Sequence, residues 1–76
     1  EVRKLSFGTY DIENTHKYFS LFTLDRSVIS VRDAKYELDN VSFTYNDSYL
    51  TSNEFIDKPL RIEVLAGEVF IVLSNE

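Results

Sequence analysis

Apolar residues alternate with polar ones along most of this chain, and that spacing of two is the feature that most constrains its fold. The segments 41–45 (VSFTY) and 60–64 (LRIEV) show it most clearly. Side chains of a strand point alternately to the two faces of a sheet, whereas a helix needs apolar residues three and four apart. No window keeps the helical spacing for three turns. The sequence therefore predicts an all-β fold, a small antiparallel β-barrel or sandwich of about six short strands.

Turn-forming residues divide the chain into candidate strands, which are 2–12, 18–24, 28–38, 41–45, 60–64 and 68–73. We expect a bulge at Gly8 in the first of them. In the third, the apolar face changes near Arg32-Asp33, which predicts a break there, and Asp39-Asn40 is predicted as a two-residue hairpin turn. A tight turn at Ala66-Gly67 should join the last two strands. The final strand is almost continuously apolar, so we expect it in the centre of a sheet.

One short segment departs from the strand pattern. Thr51-Ser-Asn-Glu54 has the form of a capping box, in which a hydroxyl and a carboxylate three residues apart satisfy the first amides of a helix. Lys58-Pro59 would end any helix that begins there. The sequence therefore predicts at most one helical turn, over Asn53 to Ile56.

The 76 residues are interpreted as a single domain, 1–76, with too little core to be very stable alone. The chain has no cysteine for a disulfide, so additional stability is expected from self-association or from docking on a protein partner. The strand around residues 18–24 is apolar on both faces, which is typical of a central strand or of one covered by a second subunit. The candidate interface residues are Tyr18, Phe19, Leu21 and Phe22.

The charge is uneven along the chain. Residues 1–38 hold six basic and six acidic groups, whereas residues 39–76 hold two basic and seven acidic groups, so the second half carries the whole net charge of −5. Without a basic cluster, binding to nucleic acid or to an anionic membrane is not expected. Solubility is the first explanation of the negative charge, and the alternative is an acidic surface that meets a basic protein patch. The candidates for such partner binding are Asp39, Asp47, Glu54 and Asp57.

Residues with catalytic potential are few, and the sequence predicts a protein that is not an enzyme and uses no cofactor. Asp11, Glu13 and His16 have ligand-like spacing, but a solvated turn explains them better than a metal site does. The only glycines are Gly8 and Gly67, so no glycine-rich phosphate loop is present. The five tyrosines are a weaker candidate for a stacking platform that would bind sugar rings.

These observations favour a non-enzymatic protein-protein interaction or structural module. Such a module would be a self-associating subunit or part of a larger assembly, for example of a virion, a phage or a surface structure. The alternative is a small acidic inhibitor that occupies a basic, nucleic-acid-binding cleft of an enzyme. The cellular compartment is left open by the sequence.

Overall fold

Two four-stranded antiparallel sheets make up the computed structural model, which describes residues 1–44, 46–47 and 53–75. The strands are β1 (Val2–Leu5), β2 (Gly8–Ile12), β3 (Tyr18–Phe22), β4 (Arg26–Arg32), β5 (Leu38–Thr44), β6 (Asn53–Glu54), β7 (Leu60–Ala66) and β8 (Val69–Ser74). The first sheet has the order β1-β8-β3-β6 and the second β2-β7-β4-β5. The all-β prediction is confirmed, with eight strands in the described residues rather than about six. The sheets share no strand, so they do not close into a barrel.

Alternation along the strands places one set of side chains from each sheet in a common core. From the first sheet, Phe19, Leu21 and Ile71 are buried, and from the second, Ile29 and Ile62. They belong to one cluster of buried apolar residues. β8 lies between β1 and β3, so the prediction that the last strand is central is confirmed. Within the part of the chain that the structure describes, no helix is long and apolar enough to cross a membrane.

The predicted first strand is in fact two strands, one in each sheet. β1 pairs with β8, and β2 pairs with β7. The corner between them is fixed by Tyr10, whose hydroxyl accepts the Ser6 N–H (3.1 Å) and donates to the Ser6 carbonyl (3.0 Å). The bulge predicted at Gly8 is therefore wrong, because Gly8 is the first residue of β2 after the chain has crossed between sheets.

The hairpin between β4 and β5 turns earlier than predicted. β4 ends at Arg32 and Asp33 has a positive φ of 62°, so the predicted break near Arg32-Asp33 is confirmed. The predicted turn at Asp39-Asn40 is wrong, because both residues lie inside β5. Asn40 has a positive φ of 51°, which asparagine tolerates better than most residues, and donates its N–H to Ser30 Oγ (3.0 Å). That irregularity within a strand resembles a turn when only the sequence is considered.

The predicted helical turn over Asn53 to Ile56 is also wrong. Asn53 and Glu54 form β6, which pairs with Phe19 and Tyr18 of β3. Thr51, the first residue of the predicted capping box, lies outside the described residues. The pairing partner of this segment lies more than thirty positions away in the sequence, and a local capping pattern contains no information about such a partner.

Gly67, in the turn from β7 to β8, is expected to tolerate no side chain. Its φ is +80°, and a Cβ there would overlap the Arg26 carbonyl oxygen and Ser27 Oγ. We expect Gly67→Ala to lower the free energy of unfolding by roughly 1–3 kcal/mol, the usual cost of overpacking, measured by urea denaturation. Gly8→Ala is the comparison that isolates the overlap, since Gly8 also has a positive φ (+144°) that strains any side chain, but a Cβ there would lie 3.8 Å from the Tyr10 ring, an ordinary contact. Equal destabilisation by the two substitutions would contradict this explanation.

Candidate ligand-binding site

The connection between β4 and β5, residues 33–37, lies against the free edge of β6 and is called here the Tyr36 loop. Ala34 forms an antiparallel bridge with Phe55, and the Lys35 N–H donates to the Glu54 carbonyl (3.1 Å). On its other side, the Phe55 N–H donates to the Lys17 carbonyl (3.1 Å). The Tyr36 loop, which connects two strands of the second sheet, is thus hydrogen-bonded along the edge of the first sheet. These bonds fix the loop backbone in the same way as pairing fixes a strand.

One buried side chain completes this attachment. Asn53 is only 7% exposed. Its Oδ1 accepts the N–H of Tyr36 (3.1 Å) and of Glu54 (2.8 Å), and its Nδ2 donates to the Tyr36 carbonyl (2.8 Å). Both backbone polar groups of Tyr36 are therefore bonded to a single carboxamide. The loop is fixed at the residue that carries its aromatic ring.

The Tyr36 ring itself points away from the core. Tyr36 is 56% exposed, although its backbone N–H and carbonyl are hydrogen-bonded to the buried Asn53. Lys35 Nζ lies 5.4 Å from the ring centroid. Aromatic faces attract cations and stack on other flat rings, and an exposed ring on a fixed backbone has little conformational freedom to lose when it does so. The ring is therefore suited to stacking on a flat molecule, and a positively charged ligand would share it with Lys35, whose charge is paired with Glu54.

The charged groups around the loop are mostly paired with one another. The pairs are Arg32 with Asp39 (2.9 Å), Lys35 with Glu54 (3.1 Å) and Lys58 with Asp33 (3.8 Å). The hydrogen-bonded Asp39 carboxylate raises the pKa of Arg32, and that of Glu54 raises the pKa of Lys35. These acids are thus largely neutralised by neighbouring cations.

Glu37, next to Tyr36, is different. Its Oε2 accepts the Asp33 N–H (2.8 Å), and none of the ion pairs among the described residues involves it. A backbone hydrogen bond keeps the carboxylate in place without cancelling its charge. Glu37 is therefore a carboxylate of the Tyr36 loop that lies outside these ion pairs, although its charge also helps to raise the pKa of Arg32.

A second concave surface lies at the other end of β4, roughly 20 Å along that seven-residue strand. It is a cleft of about 240 Å³ between the β3–β4 and β7–β8 turns, lined in part by Leu24, Arg26 and Phe70. The buried Thr23 and Ser27 hydroxyls beside it lie 2.9 Å from each other and 2.8 and 3.0 Å from the Glu68 carbonyl oxygen, and their two protons serve two of these three contacts. These hydroxyls are already satisfied, and the lining carries two carboxylates, Asp25 and Glu68, beside the Arg26 guanidinium. Its one aromatic ring, Phe70, is half-buried and stacked on Phe22, so the cleft offers a flat ligand less aromatic surface than the Tyr36 loop does.

The predicted interface residues divide between the two faces of β3. Phe19 and Leu21 are buried in the core, where the Phe19 and Phe55 rings pack in a T-shaped arrangement with their centroids 5.2 Å apart. Tyr18 and Phe22 are half-buried on the opposite face, and Phe22 stacks on Phe70 at 5.3 Å. Only the latter two are placed to reach a partner, and their role in an interface stays a prediction.

The four predicted acidic residues are not one cluster. Asp39 and Glu54 are in the ion pairs described above, on different sheets. Asp47 accepts the Thr44 N–H (2.6 Å), and Asp57 is exposed in the connection between β6 and β7. Their binding of a basic partner stays a prediction.

The candidate metal ligands and the tyrosines are also dispersed. Asp11 pairs with Arg61 (3.1 Å) and His16 Nδ1 lies 3.0 Å from Thr15 Oγ1. Among the residues that the structure describes, no three ligand-type side chains converge on a metal position. Of the five tyrosines, Tyr45 and Tyr49 lie outside the described residues.

The contact between Asn53 and Tyr36 was not predicted from the sequence. Asn53 was interpreted as part of a capping box, and Tyr36 as one of several strand aromatics. The only signal at Tyr36 is its alternation with Lys35 and Glu37, which predicts a side chain that faces the core, whereas the structure leaves Tyr36 56% exposed. No comparable signal links it to Asn53.

The comparison that decides the family is a match of residues 7–69 to the model of "Thiamin pyrophosphokinase, vitamin B1 binding domain". The chain belongs to this family. The matched segment includes both the Tyr36 loop and β6. The family is a family of enzyme domains, which the composition did not indicate.

Solved structures share the fold over almost the whole chain. A thiamine pyrophosphokinase from Bacillus subtilis superposes with a TM-score of 0.89 at 23% identity, covering 99% of this chain and 37% of that one. A protein from Lactobacillus plantarum gives 0.82 at 25% identity, with 99% and 36% covered. A thiamin pyrophosphokinase from Geobacillus thermodenitrificans gives 0.87 at 19% identity, with 99% and 37% covered. The chain thus spans little more than a third of the length of these structures.

No curated protein matches the chain closely enough to count as a relative.

The family membership corrects the functional predictions. A non-enzymatic structural module, a virion, phage or surface subunit, and an acidic inhibitor of an enzyme are all wrong as function classes, because the chain matches an enzyme family. The prediction that the protein is not an enzyme is wrong for the same reason. A small size and a negative charge are compatible with a structural module, with an inhibitor and with an enzyme domain. These two properties therefore could not distinguish among the three classes. The expectations of a protein partner, and of no nucleic acid or membrane partner, stay predictions.

Proposed function

We propose that this chain is the thiamine-binding part of a thiamin pyrophosphokinase and that thiamine binds at the Tyr36 loop. The observation that carries the proposal is the Tyr36 ring, exposed to solvent while its backbone is fixed by the buried Asn53. The family description names vitamin B1, which is thiamine, as the ligand of such domains. The structure supplies an aromatic surface and a carboxylate that suit this molecule.

The chemistry of thiamine fits those two groups. The vitamin consists of an aminopyrimidine ring joined to a thiazolium ring that carries a permanent positive charge and a hydroxyethyl arm. One flat ring stacks on Tyr36, and the thiazolium charge is attracted by the ring face and by the Glu37 carboxylate. The net charge of −5 adds a weak long-range attraction for a cation.

We further infer which substrate of the reaction this chain binds and how its fold supports the binding site. A pyrophosphokinase transfers a pyrophosphoryl group from a phosphate donor to a hydroxyl, here that of the hydroxyethyl arm. The bond between the pyrophosphoryl group and the rest of the donor breaks, the remainder of the donor leaves, and the hydroxyl oxygen forms the new bond as it loses its proton. This chain holds the acceptor, while the donor is bound by the remaining length of the enzyme, which is almost two thirds in the matched structures. The scaffold is a single domain, 1–76, with its two sheets packed face to face as an open sandwich.

The test of this proposal is a calorimetric titration of the chain with thiamine and, separately, with its neutral aminopyrimidine half. One stacked ring contributes about 1–3 kcal/mol and one exposed charge pair up to about 1 kcal/mol, so the tightest binding expected of this site is a dissociation constant of about 1 mM. The pyrimidine half lacks the cation, so we expect it to bind measurably more weakly. Equal affinity for the two compounds, or no saturable heat with thiamine, would contradict the proposal.

Removing the charge of Glu37 should weaken thiamine binding. We expect Glu37→Gln to raise the dissociation constant roughly two- to fivefold at low ionic strength, and less in concentrated salt because salt screens exposed charges. Glu13→Gln is the matched control, since Glu13 is also exposed but lies in the connection between β2 and β3. A loss of affinity that is the same for both variants would assign the effect to net charge rather than to Glu37.

A further inference from the structure

We propose that Asn53 is a positioning residue that fixes the Tyr36 ring for its ligand without touching the ligand. This inference rests on the function proposed above. The Asn53 carboxamide takes the place of a peptide group in a neighbouring strand, because it offers both an acceptor and a donor to the backbone of Tyr36. The ring orientation would then depend on a side chain on a strand of the other sheet.

The comparison with a strand follows from the hydrogen bonds. In an antiparallel ladder, a residue exchanges its N–H and its carbonyl with the same neighbour. Tyr36 does so with the Asn53 side chain, at 3.1 Å through its N–H and 2.8 Å through its carbonyl. The Lys35 N–H and the Ala34 bridge continue the same edge along Glu54 and Phe55. Asn53 therefore extends the attachment of the loop by one residue, to the one that carries the exposed ring.

The orientation of the carboxamide is set by its surroundings. Oδ1 faces two donors, the N–H groups of Tyr36 and Glu54, and Nδ2 faces one acceptor, the Tyr36 carbonyl. A flipped amide would place Nδ2 against two donors and Oδ1 against a carbonyl oxygen. At 7% exposure, little water is available to repair such a mismatch.

These requirements exclude the closest substitutes for asparagine. Aspartate has nearly the same shape but no donor, so a carboxylate oxygen would face the Tyr36 carbonyl. Glutamine keeps the donor and acceptor but is one methylene longer, which displaces the loop outward. We therefore expect Asn53→Asp to loosen the Tyr36 ring and raise the thiamine dissociation constant about tenfold or more.

The absence of tryptophan from the chain provides a specific reporter. In a Tyr36→Trp background, the single tryptophan reports stacking of thiamine through fluorescence quenching, and its fixed orientation through near-ultraviolet circular dichroism. Asn53→Asp is introduced into this background and compared with Asn75→Asp. Asn75 is an exposed asparagine whose Oδ1 accepts the Lys17 N–H (2.9 Å), a bond that aspartate can also make.

We expect Asn53→Asp to weaken the dichroism signal of the tryptophan in the absence of ligand and to raise the dissociation constant, whereas Asn75→Asp changes neither. An unchanged signal and an unchanged affinity in the Asn53→Asp variant would overturn the inference. If thiamine does not quench the Tyr36→Trp chain at all, the proposed function fails, and the dichroism without ligand still decides whether Asn53 orients residue 36.

Hydrogen exchange of the unmodified chain tests the inference even if the Asn53→Asp variant does not fold. The Tyr36 amide should exchange with solvent deuterium about as slowly as the amides of β3, because it donates to a buried acceptor. Exchange as fast as that of an exposed loop would overturn the inference without any substitution.

Discussion

Replacing Tyr36 with alanine is expected to remove most of the affinity for thiamine and to leave the fold intact. Stacking on one aromatic side chain contributes about 1–3 kcal/mol, which corresponds to roughly a 10- to 100-fold increase in the dissociation constant. The ring is more than half exposed, so its removal leaves no cavity in the core. Titration with thiamine measures the first effect and thermal unfolding the second.

Two further variants locate the effect. Tyr36→Phe keeps the ring and should bind thiamine nearly as well as the unmodified chain. Tyr18→Ala removes a half-buried tyrosine from β3, a different strand, whose ring has Lys17 Nζ at 5.3 Å from its centroid. If Tyr18→Ala lowered affinity as much as Tyr36→Ala does, the binding site would not be the Tyr36 loop.

The largest effect on stability is expected at Phe19. It is 1% exposed, lies on a central strand of the first sheet and meets the edge of the Phe55 ring. Phenylalanine-to-alanine substitutions in a core cost about 3–5 kcal/mol, through the lost burial and the cavity that remains. A domain of this size has a net stability of roughly 5 kcal/mol, so we expect a large fraction of Phe19→Ala to be unfolded.

Phe22 is the matched control for Phe19, because it lies on the same strand and faces outward. Its ring stacks on Phe70 and is half-buried, so Phe22→Ala should cost only about 1 kcal/mol. Urea denaturation followed by far-ultraviolet circular dichroism gives both values. Equal costs for the two variants would contradict the assignment of the two faces of β3.

The sequence predicted the fold class because alternation is a local property. It did not predict that residues 2–12 divide between the two sheets, since alternation looks the same whether the chain continues along a strand or crosses at a corner such as Ser6-Phe7. The change of apolar face at Arg32-Asp33 was visible, because a turn there shifts which side chains face the core. The pairing of Asn53 with Phe19 could not be predicted, as it depends on residues far apart in sequence.

The candidate site was missed for a related physical reason. Tyr36 and Asn53 are separated by seventeen positions and meet only because the loop of one sheet docks on the edge of the other. The negative charge was interpreted as solubility or as a surface for a basic protein. A small organic cation is a third kind of partner for the same charge, and the charge alone does not distinguish among the three.

The central claim, that thiamine binds at the Tyr36 loop, is tested most directly by titrating the isotopically labelled chain with thiamine and following its amide resonances. With thiamine at about ten times a dissociation constant of about 1 mM, the tightest that we expect, binding should approach saturation. We predict saturable shifts concentrated in residues 33–37 and 53–55. Shifts confined to the cleft formed by residues 23–26 and 67–70, or no saturable shifts at all, would contradict the claim.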